Sequence, residues 1–376
     1  MRALVTSPGN TAIVQDIPIP EPDSNEVRMR VHSVALNPVD ALYTFNPVAS
    51  PGRTVGSDIA GVVDKVGESV TQWKVGDRIA GFLQGATSGN ERPGGFAEYA
   101  ILEEDLAITI PTDVSFDEAA TVPLCSLTAA QALFIRLKLN PPFESPFKHL
   151  PESNEPPAIL IYSASTSLGL FVLELVKLLR TPSGKSYRIF ATASPKNHAK
   201  LLGIGATQVF DYRDPEWPQR VKEASGGIHY AVDCISEGDS TAKISTTYTE
   251  NGGTIACIRK STWDREGIKE GVEGIYSSVW VGLGKDIVYN NEPMPANPEW
   301  RAFSVAFYKW LSSFQDRFPI APNPIRLMPG GLERIAPDGF TLLGSQKVID
   351  RPSGATSHGT EPWMKPISAE KLVYRI

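Results

Sequence analysis

The sequence predicts an α/β protein in which a parallel sheet, covered by helices on both faces, is inserted between two stretches of a β-rich, barrel-like domain. Three observations carry this. Short strand-like runs broken by frequent turns fill residues 1–127. Strand and helix patterns then alternate from 159 to 258. The end of the chain, 371–376, returns to a strand pattern that would pair back with the first stretch. A length of 376 residues exceeds what one ordinary core fills. The expected domains are residues 1–127, 128–297 and 298–376, the middle one being the insertion.

In the first stretch, residues 27–35 alternate apolar and polar, 59–66 form an apolar run containing Gly61, and 77–82 follow a Val-Gly-Asp turn. From Thr128 to Leu139 the spacing is helical, and a proline-rich segment, 141–157, reads as a surface insertion. Strands are then expected at 159–162, 188–193, 208–210, 229–234 and 253–258. Helices are expected at 169–180, 196–203, 216–224 and 239–248. Residues 275–282 read as a further strand. Residues 298–314 have helical spacing, with Trp300, Phe303, Phe307 and Trp310 as core anchors.

The richest segment is 159–197. A buried strand runs into Ser163-Ala164-Ser165-Thr166-Ser167-Leu168-Gly169 and then into an apolar helix. Such a turn aims backbone N–H groups and the positive helix end at a pyrophosphate. Two of the usual glycine positions hold Ser163 and Thr166, and hydroxyl residues at a helix start also serve as ordinary caps. The next strand ends in Ser194-Pro195-Lys196-Asn197, where an NAD site would place an acid for the ribose diol. A cation with hydroxyls suits a 2′-phosphate, so the sequence predicts NADP(H) and a redox enzyme.

Composition excludes other classes. The net charge is −6 and no basic run occurs, which argues against nucleic acid or an anionic membrane as partner. The start reads as a strand rather than a signal peptide, and no apolar stretch reads as long enough to span a bilayer, so a cytoplasmic protein is expected. The three cysteines, Cys125, Cys234 and Cys257, build neither a disulfide framework nor a zinc lobe, and the five histidines show no metal-ligand spacing.

Asn37-Pro38-Val39-Asp40, Gly56-Ser57-Asp58-Ile59-Ala60-Gly61, Gly76-Asp77-Arg78, Gly94-Gly95-Phe96-Ala97-Glu98-Tyr99 and Leu127-Thr128-Ala129-Ala130 together resemble the zinc-independent medium-chain dehydrogenase/reductase superfamily. Ala164-Ser165-Thr166-Ser167, Ala193-Ser194-Pro195-Lys196-Asn197, Phe210-Asp211-Tyr212-Arg213 and Gly330-Gly331-Leu332-Glu333 resemble, within it, the fungal trans-acting enoyl reductases that work beside polyketide synthases. The resemblance implies a Rossmann cofactor domain inserted into a GroES-like catalytic domain. Zinc-dependent relatives hold their metal with Cys and His near the positions of Asn37 to Asp40 and Ser57-Asp58, so no metal is expected here.

The resemblance further implies NADPH, held through Ser165, Thr166, Ser167 and Leu168 at the phosphates and through Ser194, Lys196, Asn197 and Tyr212 at the 2′-phosphate. Ile258 would lie beside the nicotinamide ribose, Val39 and Asp40 on the loop beneath the ring, and Lys347 with Val348 as a pair closing over the cofactor. Thr128 and Asn37 match positions near the reacting group, and each equally suits a structural cap or turn. Val279, Trp280 and Val281 match the wall of an acyl pocket; an edge strand for dimer pairing is the alternative. Many relatives carry Lys two residues after the Asp of the Asn-Pro-x-Asp loop, where this chain has Leu42, so the obvious proton donor is missing. The Pro-, Gly- and Thr-rich insertion at 349–367 fits either a lid or an unstructured loop.

The expected function is reduction of an α,β-unsaturated thioester on a carrier protein, beside a polyketide synthase, by a monomer or homodimer. A reductase of free enones or quinones shares every motif. A non-redox binding, isomerase or cyclase role is the reading that Leu42 motivates.

Overall fold

The computed structural model describes every residue except 89–91, 148, 150–154, 261–262, 290–291, 346–347 and 349–360. Of the segments singled out above, Lys347, residues 148 and 150–154 of the 141–157 segment and most of 349–367 lie outside the described residues. The chain divides into two compact units, Met1–Leu124 with Trp280–Ile376, and Cys125–Val279.

The first stretch of the first unit supplies β1 (Arg2–Ser7), β2 (Thr11–Asp16), β3 (Glu26–Ala35), α1 (Pro38–Phe45), β4 (Asp58–Val66), β5 (Arg78–Phe82), β6 (Tyr99–Glu103), β7 (Ile108–Thr109) and α2 (Phe116–Ala119). The alternation over 27–35 becomes β3, the strand around which this unit is organised. Its first half pairs antiparallel with β6, its second half with the C-terminal strand, and its length with β4. Val27, Met29, Val31 and Val34 turn inward onto Ile59, Val63, Phe96 and Tyr374, all buried. The β3–β4 register shifts between Val31 and Ser33. There Gly61 is obligatory, because a Cβ would lie 2.0 Å from the Arg30 carbonyl oxygen.

The second unit begins in α3 (Pro123–Ala130), which continues as a π-helix over Gln131–Arg136. It then alternates β8 (Ala158–Tyr162), α4 (Ser167–Val176), β9 (Arg188–Thr192), α5 (His198–Ile204), β10 (Gln208–Phe210), α6 (Trp217–Ser225), β11 (Tyr230–Asp233), α7 (Ser240–Ser245), β12 (Gly253–Cys257) and β13 (Val272–Tyr276). All six strands are parallel, in the order β10-β9-β8-β11-β12-β13. Successive strands step outward from β8 in one direction and then resume at β11 in the other. This is the doubly wound arrangement, with its switch point between β8 and β11. Residues 168 to 176 of α4 are buried to the last one, all of them apolar or glycine save Glu174, which pairs with Lys177 at 2.8 Å.

The chain returns to the first unit with β14 (Ile287–Tyr289), β15 (Glu292–Met294), α8 (Pro298–Ser312), β16 (Ile325–Met328) and β17 (Lys371–Arg375). The α8 helix is capped by Asn297, whose side chain accepts the Trp300 N–H at 3.1 Å, and it buries Phe303 and Phe307 completely. The seven-stranded sheet of this unit runs β16-β17-β3-β4-β5-β7, with β6 on β3.

The structure departs from the sequence reading at three places. Residues 275–282 are not one strand: β13 ends at Tyr276, and Val279–Leu283 is a 3₁₀ turn. Val279 and Trp280 are buried consecutively, and Trp280 stacks on Phe82 with ring centroids 5.7 Å apart, a placement that an alternating strand does not give. The edge-strand alternative for this segment falls with it. The joined helical stretch Phe116–Arg136 is, by length and composition, apolar enough to cross a bilayer, contrary to the reading of the sequence. Its apolar window is 83% buried inside the protein, as a core helix is. Residues 280–297, read from sequence as part of the insertion, group with the first unit, where Trp280 and Tyr289 lie 6.5 Å apart between centroids.

Candidate active site

In the second unit, β8 leads into a turn held on both sides. Ser163 adopts a left-handed φ of 61°, its N–H donates to Thr192 Oγ1 at 2.8 Å, and the Ala164 N–H donates to the Thr192 carbonyl at 2.9 Å. The turn is thereby tied to the carboxyl end of β9. Thr166 is the N-cap of α4: its hydroxyl donates to the Ser163 carbonyl at 2.9 Å and accepts the Gly169 N–H at 3.0 Å. At Gly169 an added Cβ would lie 2.6 Å from Ala164 Cα and 2.7 Å from the Ser163 oxygen. The first turn of α4 therefore sits hard against the strand turn, with the half-buried Ser165 and Ser167 and the buried Leu168 around its positive end.

One strand over, Ser194 leaves β9 in extended conformation and starts a single 3₁₀ turn, Pro195–Asn197. Asn197 bonds back to it, N–H to the Ser194 carbonyl at 2.9 Å and Nδ2 to Oγ at 3.3 Å, so both are buried and fixed. Lys196 is exposed, and no described residue pairs with it. At the carboxyl end of neighbouring β10, Tyr212 is 38% exposed and the Arg213 guanidinium carbon lies 5.0 Å from its ring centroid. Residues Thr192 and Phe210 are register partners, so both corners emerge from the same edge of the sheet. In the sequence Arg213 stands only within the Phe210–Arg213 motif; the parallel pairing of β10 with β9 is what sets it at the same sheet edge as the Lys196 turn.

At the ends of β11 and β12, Asp233 is buried and takes the N–H groups of Ile235 and Ser236 on Oδ1 and the hydroxyls of Ser240 and Thr241 on Oδ2. Burial pushes its carboxyl up from the ordinary carboxylate range. Ser236, at φ 52°, accepts the Ile258 N–H at 2.9 Å. Ile258 is thus held, half-buried, just past the end of β12. Thr128 is half-buried on α3.

In the first unit, Asn37 precedes α1 and is 2% exposed. Its side-chain amide donates to Ser57 Oγ at 2.9 Å and to Asp58 Oδ2 at 2.8 Å. Its backbone N–H donates to Asp40 Oδ2 at 2.8 Å, and the Ser57 hydroxyl donates to the same oxygen at 3.1 Å. Lys371 donates to Asp58 Oδ2 at 2.6 Å and to the Thr121 carbonyl at 3.3 Å, while the Leu124 N–H meets Asp58 Oδ1 at 2.9 Å. The loop of Asn37, Val39 and Asp40 is therefore pinned by a buried polar cluster, with Val39 half-buried at its edge. Asp40 Oδ1 has no hydrogen-bond partner among the described residues, and burial raises this carboxyl to about 7. The cluster was not legible in the sequence, since Lys371 and Asp58 are 313 residues apart.

Leu42 is half-buried on α1 and brings no ionisable group to it. Tyr43 is buried, its ring edge-on to Tyr289 at 5.7 Å, and Tyr289, Trp280 and Phe82 continue the aromatic contact. Val281 is half-buried in the same 3₁₀ turn as Trp280, and Val279 ends the other unit. Val348 is half-buried.

A doubly wound sheet with a pinned strand-turn-helix, within a chain whose other unit is a β-rich sheet, defines the medium-chain dehydrogenase/reductase class. Residues 23–112 match the alcohol dehydrogenase GroES-like domain family. The chain is similar over its whole length to the solved CurK enoyl reductase, at a TM-score of 0.71, 20% identity and 98% coverage of that chain. It is similar likewise to the quinone oxidoreductase of Coxiella burnetii, at a TM-score of 0.67, 19% identity and 99% coverage. Among curated relatives, the trans-enoyl reductase ACTTS2 of Alternaria alternata is 32% identical over 92% of this chain and 96% of its own length. The chain belongs to the trans-enoyl reductase family of that superfamily.

Membership implies an oxidoreductase with a nicotinamide cofactor. The residues present fit one. At Gly169 the first turn of α4 meets the Ser163–Ala164 backbone where a Cβ would not fit, and among the described residues none forms an ion pair with Lys196. When bound, such a cofactor supplies a hydride.

Proposed function

We propose that this chain is a trans-acting, NADPH-dependent enoyl reductase that saturates the α,β double bond of a polyketide thioester carried on the acyl carrier protein of a polyketide synthase, in the cytoplasm. The observation that carries the reading is Lys196: an exposed cation, unpaired among the described residues, on the turn after β9, where a carboxylate would favour a ribose diol. Its compact charge, with the fixed Ser194 and Asn197 and with Tyr212 across the strand pair, suits a 2′-phosphate. The turn at Ser165, Thr166, Ser167 and Leu168 suits the pyrophosphate, and Ile258, Val348 and Lys347 suit the nicotinamide half. The name of the Alternaria relative supports the reaction, and the family's trans-acting habit supports a separate synthase as partner.

In this reaction the β-carbon of the thioester accepts a hydride and the α-carbon a proton, and the carbonyl carries enolate charge between the two steps. Asn37 and Asp40 act as positioning residues for the loop, since their polar atoms are engaged inside the cluster. Thr128 remains the candidate nearest the carbonyl. With Leu42 in place of a lysine, no side chain is assigned to deliver the proton, and water serves. Val279, Trp280 and Val281 supply an apolar, aromatic wall for an acyl chain.

The test is the fall in NADPH absorbance with an unsaturated acyl-pantetheine thioester, set beside a free quinone and beside NADH. The reading requires turnover of the thioester in preference to the quinone. It also requires that Lys196→Ala weaken NADPH by about 10-fold or more while leaving NADH nearly unaffected. Preference for the quinone assigns the chain to free-acceptor reduction; NADPH binding without turnover of either assigns it a non-redox role. Equal loss of both coenzymes on Lys196→Ala removes Lys196 from the 2′-phosphate.

A further inference from the structure

Arg136 ends the π-helix that follows α3, and it is 5% exposed. A π-turn inside a helix rotates the residues after it, and such turns concentrate at functional sites. The Arg136 guanidinium donates through Nη1 to the carbonyl of Cys257, the last residue of β12. Its Nε and Nη2 are buried and have no hydrogen-bond partner among the described residues. Among the described residues no carboxylate pairs with it: its electrostatic neighbours are Cys257, Tyr276 and Cys234. These three stand at the carboxyl ends of β12, β13 and β11, so the fork lies across the ends of three adjacent strands.

A buried guanidinium with two bare donors and no counter-charge is costly, and structure alone gives no reason to keep it. A methionine of similar volume would fill the same space without that cost. The position says what completes it. In a doubly wound sheet, ligands lie outside the carboxyl ends of the strands at the switch point, here between β8 and β11. Strands are about 4.8 Å apart, so the end of β12, two strands from β8, lies about 10 Å from the turn before α4. That is about the reach from a pyrophosphate to the far side of a nicotinamide, on the opposite side of β8 from Lys196. Guanidinium is a donor only, so the group it receives carries an acceptor oxygen.

We propose that Arg136 binds the nicotinamide half of the dinucleotide, its free N–H groups donating to the carboxamide oxygen of the ring. This rests on the dinucleotide reading given above and adds to it a binding residue that the cofactor motifs do not contain. An acceptor oxygen of the dinucleotide would satisfy the two donors that have no partner among the described residues. Ile258, one residue after Cys257, lies beside the same position.

The experiment is a calorimetric titration of the full-length protein with NADPH, NADH and 2′,5′-ADP, the last carrying the 2′-phosphate and no nicotinamide, for wild type, Arg136→Met and Arg136→Lys. Arg136→Met is expected to weaken NADPH and NADH alike by about 10- to 100-fold and to leave 2′,5′-ADP unchanged. The ligand-free melting temperature should stay the same or rise. Arg136→Lys keeps the charge without the fork, and should lose affinity for both dinucleotides while sparing 2′,5′-ADP; it decides the matter should the methionine variant not fold. Where wild type binds the dinucleotides, unchanged affinity in the two variants overturns this inference alone. So does an equal loss of 2′,5′-ADP, or a lowered melting temperature with affinity intact. A wild type that binds neither dinucleotide overturns the cofactor reading and this inference with it.

Discussion

Asp40 and Asp58 sit in one buried cluster with Lys371 as its cation, and the hydrogen bonds distribute the charge unequally between them. Asp58 receives Lys371, Asn37 and the Leu124 amide; Asp40 receives its donors on Oδ2 only. Desolvation is the largest influence on Asp40 and lifts its carboxyl to about 7, against the lowering effect of its hydrogen bonds from Asn37 and Ser57. Between about 3.8 and about 7 the folded chain holds the Asp40 proton and the unfolded chain releases it, so this residue's contribution is full below that interval and declines as pH rises through it. Asp40→Asn keeps an acceptor for Asn37 and Ser57 and removes the ionisation. In urea unfolding at several pH values, the variant should gain on wild type from pH 4 to pH 7, by at most about 4 kcal/mol at 1.36 kcal/mol per unit. A difference between the two that does not change with pH would mean Asp40 is ionised throughout.

Elements place the remaining site residues, and the turn into α4 is the tightest of them. Thr166 closes the turn from within, and Thr192 ties it to β9, so the start of α4 has little room to move. Gly169→Ala sets a methyl 2.6 Å from Ala164 Cα, a backbone atom that cannot swing aside. It should destabilise the protein by about 1–3 kcal/mol through overpacking, read as a lower melting temperature, although alanine is the better helix former by about 1 kcal/mol. A variant as stable as wild type would show that the helix start shifts freely. The same close packing explains how hydroxyl residues replace two glycines of the usual fingerprint: Ser163 takes the left-handed turn, and Thr166 caps the helix it precedes.

At the scale of the whole molecule, the first unit is closed by the end of the chain. β17 is an interior strand, between β16 and β3, and Lys371, Leu372, Val373 and Tyr374 are all buried. Ending the chain at residue 370 would expose the inner edge of β3 and leave Asp58 buried without its cation, an uncompensated charge that costs about 3–5 kcal/mol by itself. Expression of that truncated chain should yield aggregated protein, measured as loss of the soluble fraction; a soluble product with the wild-type circular dichroism spectrum would refute the closing role of β17.

Local pattern determined a good deal: the alternation that became β3, the helical spacing of α8, the alternating strands and helices of the inserted sheet, and the strand-turn-helix with Lys196 one strand over. Those follow from side-chain periodicity and from backbone donors at a helix start, which act over a few residues and so are written in consecutive ones. What only the tertiary structure decided has the opposite character. Trp280 turned a supposed strand into a 3₁₀ turn because Phe82, 198 positions away by residue number, offered it a stacking partner. The cluster of Asn37, Asp40, Asp58 and Lys371, the place of Arg213 beside Tyr212 across a parallel strand pair from Lys196, and the bare donors of Arg136 depend on which distant groups share a desolvated volume. Desolvation and long-range pairing are set by the packed whole, and no stretch of consecutive residues records them.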